Sequence, residues 1–255
     1  MALDFTPFFK RYEALRDGVD KIFIQVQAQY GDLVHCGKGC SDCCYALFDL
    51  SLVEAIYINH HFNARYEGRE RSRILERADE ADRAVYRLKR QIYKASQDGR
   101  PAPEILAEVA RQRVRCPLLG EENLCVLYEQ RPLTCRLYGI PMVIGETAHT
   151  CHHSGFEPGK SYPTIQTARL QDQLFDLSGD LARAIGSAYQ DLGGMLVPLS
   201  MALLTDYDEA YLGVRSGGSC ATCASDVDEC GQTPGACSGA PDSVVIGGGD
   251  GKDKA

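Results

Sequence analysis

Eight of the twelve cysteines in this 255-residue chain fall into two groups, and their spacing suits metal chemistry. The first group is Cys36-x3-Cys40-x2-Cys43-Cys44, preceded by His35. The second contains Cys116, Cys125, Cys135 and Cys151, the last flanked by His149, His152 and His153. Zinc and iron–sulfur sites need deprotonated thiolates within reach of one point, and short Cys spacings supply them readily. Gly37 and Gly39 let the backbone turn tightly around an ion or cluster. Ser41 and Asp42 are placed to cap a helix carrying Cys43 and Cys44, whose free amides would favour thiolates. Adjacent helical cysteines point about 100° apart, so this doublet suits one tetrahedral ion poorly. It implies a polynuclear centre, two neighbouring sites, or one ligand beside a structural thiol.

In the second group, Gly120 to Asn123 reads as a turn across which Cys116 and Cys125 approach each other. Pro132 starts a helical turn that presents Cys135, and Arg131 and Arg136 are placed to balance thiolate charge. The expected metal ligands are Cys36, Cys40, Cys43, Cys44, Cys116, Cys125, Cys135 and Cys151. They suffice for one cluster plus a second site, or for two four-thiolate sites. The bland alternative, a small buried hydrophobe, competes most at Cys44, Cys116 and Cys151. The four flanking histidines read first as surface or hydrogen-bonding groups and second as spare ligands. The cofactor expected is an iron–sulfur cluster, with zinc as the alternative.

The bulk composition narrows the setting. A formal net charge of −8 argues against general nucleic-acid affinity. Residues 63–115 hold fourteen Lys/Arg against nine Asp/Glu, which reads as a solvated helix face. The N-terminus lacks an apolar signal stretch, and the longest apolar run, Met195 to Leu204, is too short to span a bilayer. A cytoplasmic location without membrane association is expected. In that reducing setting the cysteines read as ligands, and a disulfide framework is the lesser reading.

Three long amphipathic helices must position these groups. One carries Phe8, Tyr12, Leu15, Val19, Ile22 and Val26, with Thr6 as N-cap and Pro7 as first helical residue. The second spans about 67–97 with the seam Ile74, Ala78, Ala81, Val85, Leu88 and Ile92, stopped by Asp98-Gly99 and Pro101. The third follows Pro163 with Leu170, Leu174, Leu177, Leu181, Ala184 and Ala188. These seams read as core. Ser51 to Glu54 forms a capping box for a shorter helix, another helix covers 103–114, and Ile140 to Ile144 is a short strand. The fold class is mainly α: a helical bundle over residues 1–215 with a loop-rich cysteine region.

Residues 216–255 are rich in Gly, Ser, Ala and Asp and poor in large apolar groups, so disorder is expected. The closing GGGDGKDKA lacks the glycine spacing and the Ser/Thr of a phosphate loop. Cys220, Cys223, Cys230 and Cys237 lie on this tail as a second metal site, an exchange pair or exposed thiols.

The pieces Cys36-x3-Cys40-x2-Cys43-Cys44, Cys116-Pro117-Leu118 with Cys125, and Tyr128-x2-Arg131-Pro132-x2-Cys135-Arg136 together resemble the YkgJ-type, or CxxCxxCC, cysteine cluster family. That family is described as zinc- or iron-chelating. The likeness covers roughly 33–153 and departs in its first gap, which has three residues instead of two. It implies metal ligation at the eight matched cysteines. A related branch resembles flagellin lysine N-methylases, which combine an iron–sulfur cluster with S-adenosylmethionine, but no motif here carries that role over.

The leading functional expectation is a metal-binding protein whose iron–sulfur centre serves electron transfer, sensing or support. A structural zinc module that binds a protein partner and a lysine N-methyltransferase are the alternatives, with metal storage or delivery behind them. Neither a strand-linked glycine loop nor a nucleophile with a base speaks for an enzyme. If the tail reading holds, deleting residues 216–255 lowers the Tm by less than about 2 °C, equivalent to under about 1 kcal/mol. Thermal denaturation followed by circular dichroism checks this.

Overall fold

The computed structural model describes residues 3–37, 39–109, 111–144, 147–157 and 159–214. The 216–255 tail, with its expected disorder and its four cysteines, lies outside the described residues. Among the described residues are seven α-helices and five strands of two or three residues, in line with the mainly α expectation.

Helix α1 (Thr6–Tyr30) buries Tyr12, Val19 and Val26 along the expected seam. Its start differs slightly from the capping expected at Thr6. Phe5 takes the N-cap position, and the Asp4 carboxylate accepts the Thr6 N–H at 2.9 Å. The acidic side chain satisfies the free amide that a Thr cap would have served.

Strand β1 (Asp49–Ser51) leads into α2 (Leu52–Arg65), the central helix. Residues 52–59 and Phe62 of α2 are all buried. A helix apolar on every side must be surrounded. Accordingly Val53, Ile56 and Tyr57 join one apolar cluster with Tyr12 and Val19, while Ala55, Ile58 and Phe62 join a second.

The second cluster includes Ile74 and Ala78 of α3 (Gly68–Gln97). Only Ile74, Ala78 and Ala81 of the expected α3 seam are buried. Val85, Leu88 and Ile92 line a cavity instead, so the second half of that stripe is a wall and not core. The difference follows from what covers the helix, since no seam reports the length of its partner. Helix α4 (Ala102–Val109) ends earlier than the 103–114 expected.

Further along, α5 (Leu133–Leu137) is a single turn that carries Cys135. The strand expected within 140–144 is β2 (Met142–Ile144), antiparallel to β3 (Thr147–His149) and parallel to β4 (Ile165–Gln166). Helix α6 (Thr167–Ala184) buries Leu174, Leu177 and Leu181, and Ala188 of the expected seam lies beyond its end. Strand β5 (Leu196–Pro198) pairs antiparallel with β1, Leu50 opposite Val197. Helix α7 (Leu199–Leu204) adds Ala202 and Leu203 to the Ile74 cluster. No helix among the described residues is long and apolar enough to cross a membrane.

One carboxylate ties three of these elements together. The capping box expected from Ser51 to Glu54 is present, and Glu54 is buried at 4% exposure. Its Oε2 accepts the Ser51 N–H at 3.3 Å and the Ser51 hydroxyl at 3.1 Å. Its Oε1 accepts the Tyr12 hydroxyl at 3.3 Å and the Leu133 N–H at 3.2 Å. Burial pushes its pKa up, while these donors hold the charged form. Glu54→Ala leaves several buried donors without an acceptor and is expected to destabilise the protein by about 3 kcal/mol. Urea denaturation measures the loss, and a change below about 0.5 kcal/mol would remove Glu54 from its organising role.

Candidate metal centre

The first cysteine group is carried by a loop and one 3-10 turn, Asp42–Tyr45, in place of the helix expected at Cys43. Ser41 makes no side-chain capping bond. Asp42 is buried and pairs with Arg113. A four-residue turn leaves few amides to cap, and a charge-assisted partner is the stronger one for a buried carboxylate. Gly39 adopts a φ of 87°, which glycine alone enters freely, and lets the loop turn back between Cys36 and Cys40. Successive side chains in a 3-10 turn diverge by about 120°. Cys43 accordingly meets Cys135, while Cys44 meets Cys116. The two thiols of the doublet also contact each other.

Backbone pairing brings the second group against the first. The Cys116 N–H donates to the Cys44 carbonyl at 2.7 Å. The turn expected at Gly120 to Asn123 is present, with Glu122 and Asn123 at positive φ, and Leu119 pairs with Cys125 across it. Pro132 occupies the N-cap position of α5, so Cys135 is presented within the first turn as expected. Gly139, which the sequence did not single out, is equally necessary. A Cβ there would lie 2.5 Å from Cys36 Cβ and 3.1 Å from its sulfur. Only glycine lets the chain leaving α5 lie against Cys36.

Seven of the eight expected ligands line one cavity of about 590 Å³: Cys36, Cys40, Cys43, Cys44, Cys116, Cys125 and Cys135. Apolar side chains complete its lining, among them Val85, Leu88 and Ile92 of α3 with Phe23 and Phe48. Cys151 does not line it; the Cys151 thiol donates to Asp42 Oδ2 at 3.5 Å. All eight cysteines are free thiols.

Crowding gives these thiols divergent proton affinities. Hydrogen bonds donated by Cys135 and Cys44, with help from Arg131, pull Cys43 far down towards the thiolate. Donation to Cys116 and Cys43 drives Cys44 up, and donation to Cys43 likewise raises Cys135. Cys116 is lowered as the acceptor from Cys44. Burial first, then neighbouring cysteines, push Cys36 and Cys125 to about 11.

The two arginines divide their work. Arg131 stacks 3.9 Å over the Tyr128 ring and donates to the Tyr128 carbonyl at 2.8 Å. From there its charge favours thiolate at Cys36, Cys43 and Cys125. Arg136 also borders the thiol cavity, but its hydrogen bonds go elsewhere. It is buried, and its Nη1 donates to the Asp20 carboxylate at 2.6 and 2.9 Å. Its Nε donates to the Arg131 carbonyl at 3.1 Å, and its other terminal nitrogen holds the Glu129 carbonyl. Its task is to fasten α5 to α1 and to the loop that carries Arg131.

The donor set fits a metal centre. Seven soft sulfurs around one space exceed what a single tetrahedral ion uses, and a bound cation would stabilise them all as thiolates. Of the flanking histidines, His35 bonds the backbone carbonyls of His153 and Asp32, and His152 and His153 stand beside Asp42. His149 lies exposed on β3.

A helical scaffold around a thiol-lined cavity defines a cysteine-chelating protein. Residues 35–152 match the model of the CxxCxxCC family, whose description is "Putative zinc- or iron-chelating domain". The matched span includes all eight described cysteines. No curated protein and no solved structure matches the chain.

Arg136→Ala is expected to lower stability by about 3 kcal/mol, because it strands two backbone carbonyls and the Asp20 pair. Arg136→Lys should not restore it, since one ammonium cannot reproduce the planar fork. Urea titrations of both variants measure the loss, and full stability in the Lys variant would show that charge alone is needed.

Proposed function

We propose that the cavity thiolates hold an iron–sulfur cluster and that the protein acts as a redox carrier or sensor. The observation that supports this most directly is the convergence of seven cysteines, from three separated segments, on one cavity of about 590 Å³. The Cys43-Cys44 doublet strengthens the reading, because its two thiols engage different partners, Cys135 and Cys116. That arrangement suits a polynuclear centre better than a lone tetrahedral ion. The ligands are drawn from Cys36, Cys40, Cys43, Cys44, Cys116, Cys125 and Cys135, with Cys151 beside them. The cluster, when bound, supplies one-electron transfer.

The protein's own groups tune that chemistry. Arg131 offsets the negative charge of the thiolates, and the apolar α3 wall keeps the surroundings of low polarity. Both are among the controls on cluster potential. Free thiols at every described position agree with a reducing compartment such as the cytoplasm. Residues 1–215 form the chelating unit in this reading, with 216–255 appended, and the electron donor or acceptor is a partner protein.

Protein purified without oxygen tests the proposal. About four irons with matching sulfide per chain, and visible absorption bleached by dithionite, are expected. Zinc without visible absorption would overturn it and leave a structural zinc module built on the same residues. Cys43→Ser and Cys116→Ser should each lose metal and lower the Tm together, because binding energy at such sites is partly folding energy.

A further inference from the structure

Asp42 sits one residue before Cys43, yet it does not line the thiol cavity. It is 5% exposed, and its two oxygens face different groups. Oδ1 accepts from Arg113. Oδ2 lies 3.4 Å from His152 Nδ1 and 3.5 Å from Cys151 Sγ. His153 Nε2 stands 3.8 Å from Oδ1. One ligand atom each from Asp42, His152 and His153 all fall within 4.8 Å of one another.

The 3.4–3.8 Å approaches to Asp42 are the length of the edges of a zinc tetrahedron, while Cys151 stands outside the group of three and would have to close on the ion as the fourth donor. Bonds of about 2.0–2.3 Å to nitrogen, oxygen and sulfur place neighbouring ligand atoms about 3.3–3.8 Å apart. We propose that Asp42, Cys151, His152 and His153 form a second, mononuclear zinc site outside the thiol cavity. The donor types suit zinc and not magnesium or calcium, which take oxygen shells.

The surroundings hold the donors ready. The Ser154 N–H and hydroxyl donate to the Cys151 carbonyl at 2.9 and 2.6 Å, closing the turn that bears all three neighbouring donors. His35 binds the His153 carbonyl at 2.5 Å and pins the far end of that turn. Arg113 occupies Oδ1 and leaves Oδ2 for the metal, the outer-shell arrangement that orients a ligating carboxylate. The His152 and His153 side chains are 63% and 58% exposed, so an ion can enter from solvent.

The site does not depend on which metal the cavity holds. The test is zinc per chain, together with Zn2+ affinity by chelator competition, in the protein as purified and in a His152→Ala/His153→Ala double variant. Both histidines are exposed, so the variant is expected to fold, with an unchanged Tm as the control. It should lose one zinc equivalent and bind Zn2+ at least about tenfold more weakly, while the cavity metal stays. Cys116→Ser should do the reverse, losing cavity metal and keeping this zinc. Wild-type zinc content and affinity in the double variant would overturn the site, and so would loss of the cavity metal along with the zinc.

Discussion

The structure depends on holding many sulfur atoms together where their negative charges oppose one another. Cys43, Cys44, Cys116 and Cys135 form a continuous chain of thiol contacts. In such a chain one thiolate is stabilised only at its neighbour's expense. Cys43 is drawn towards the thiolate while Cys44 and Cys135 are driven the other way. A bound cation is the physical means by which all of them become anionic at once. The rest of the fold serves to keep that geometry in place.

The scaffold does this by fastening short, irregular segments to long helices. Neither the 3-10 turn carrying Cys43 and Cys44 nor the five residues of α5 would persist alone, because one turn of helix fixes more torsions than its bonds compensate. Glu54 holds the start of α5 against α1 and α2 through the Leu133 amide and the Tyr12 hydroxyl. Arg136 holds the same turn against Asp20 on α1. Both groups are buried, so each acts through satisfied hydrogen bonds that would be expensive to break.

Asp42 links the two candidate sites. Its backbone belongs to the turn that aims Cys43 into the cavity, while its carboxylate gathers Arg113, Cys151 and the histidine pair. Apolar residues of α3 complete the cavity lining, so half of that helix's stripe faces the cavity and not the core.

Much of this was legible in the sequence. The helical seams, the Ser51–Glu54 box, the Gly120–Asn123 turn and the Pro132 start of α5 rest on local spacing and intrinsic residue preference. Local rules of that kind need no partner. Cys spacing likewise announced metal chemistry, because short gaps restrict where thiols can go. What the sequence alone did not determine were pairings across long separations. The match of Cys43 with Cys135 and of Cys44 with Cys116, the capture of Arg136 by Asp20, the move of Asp42 from cap to ion pair, and the fit of Gly139 against Cys36 all join residues distant in the chain or differently placed than local rules implied. Only tertiary packing decides which buried charge finds which partner, since many partners are chemically equivalent and position alone separates them.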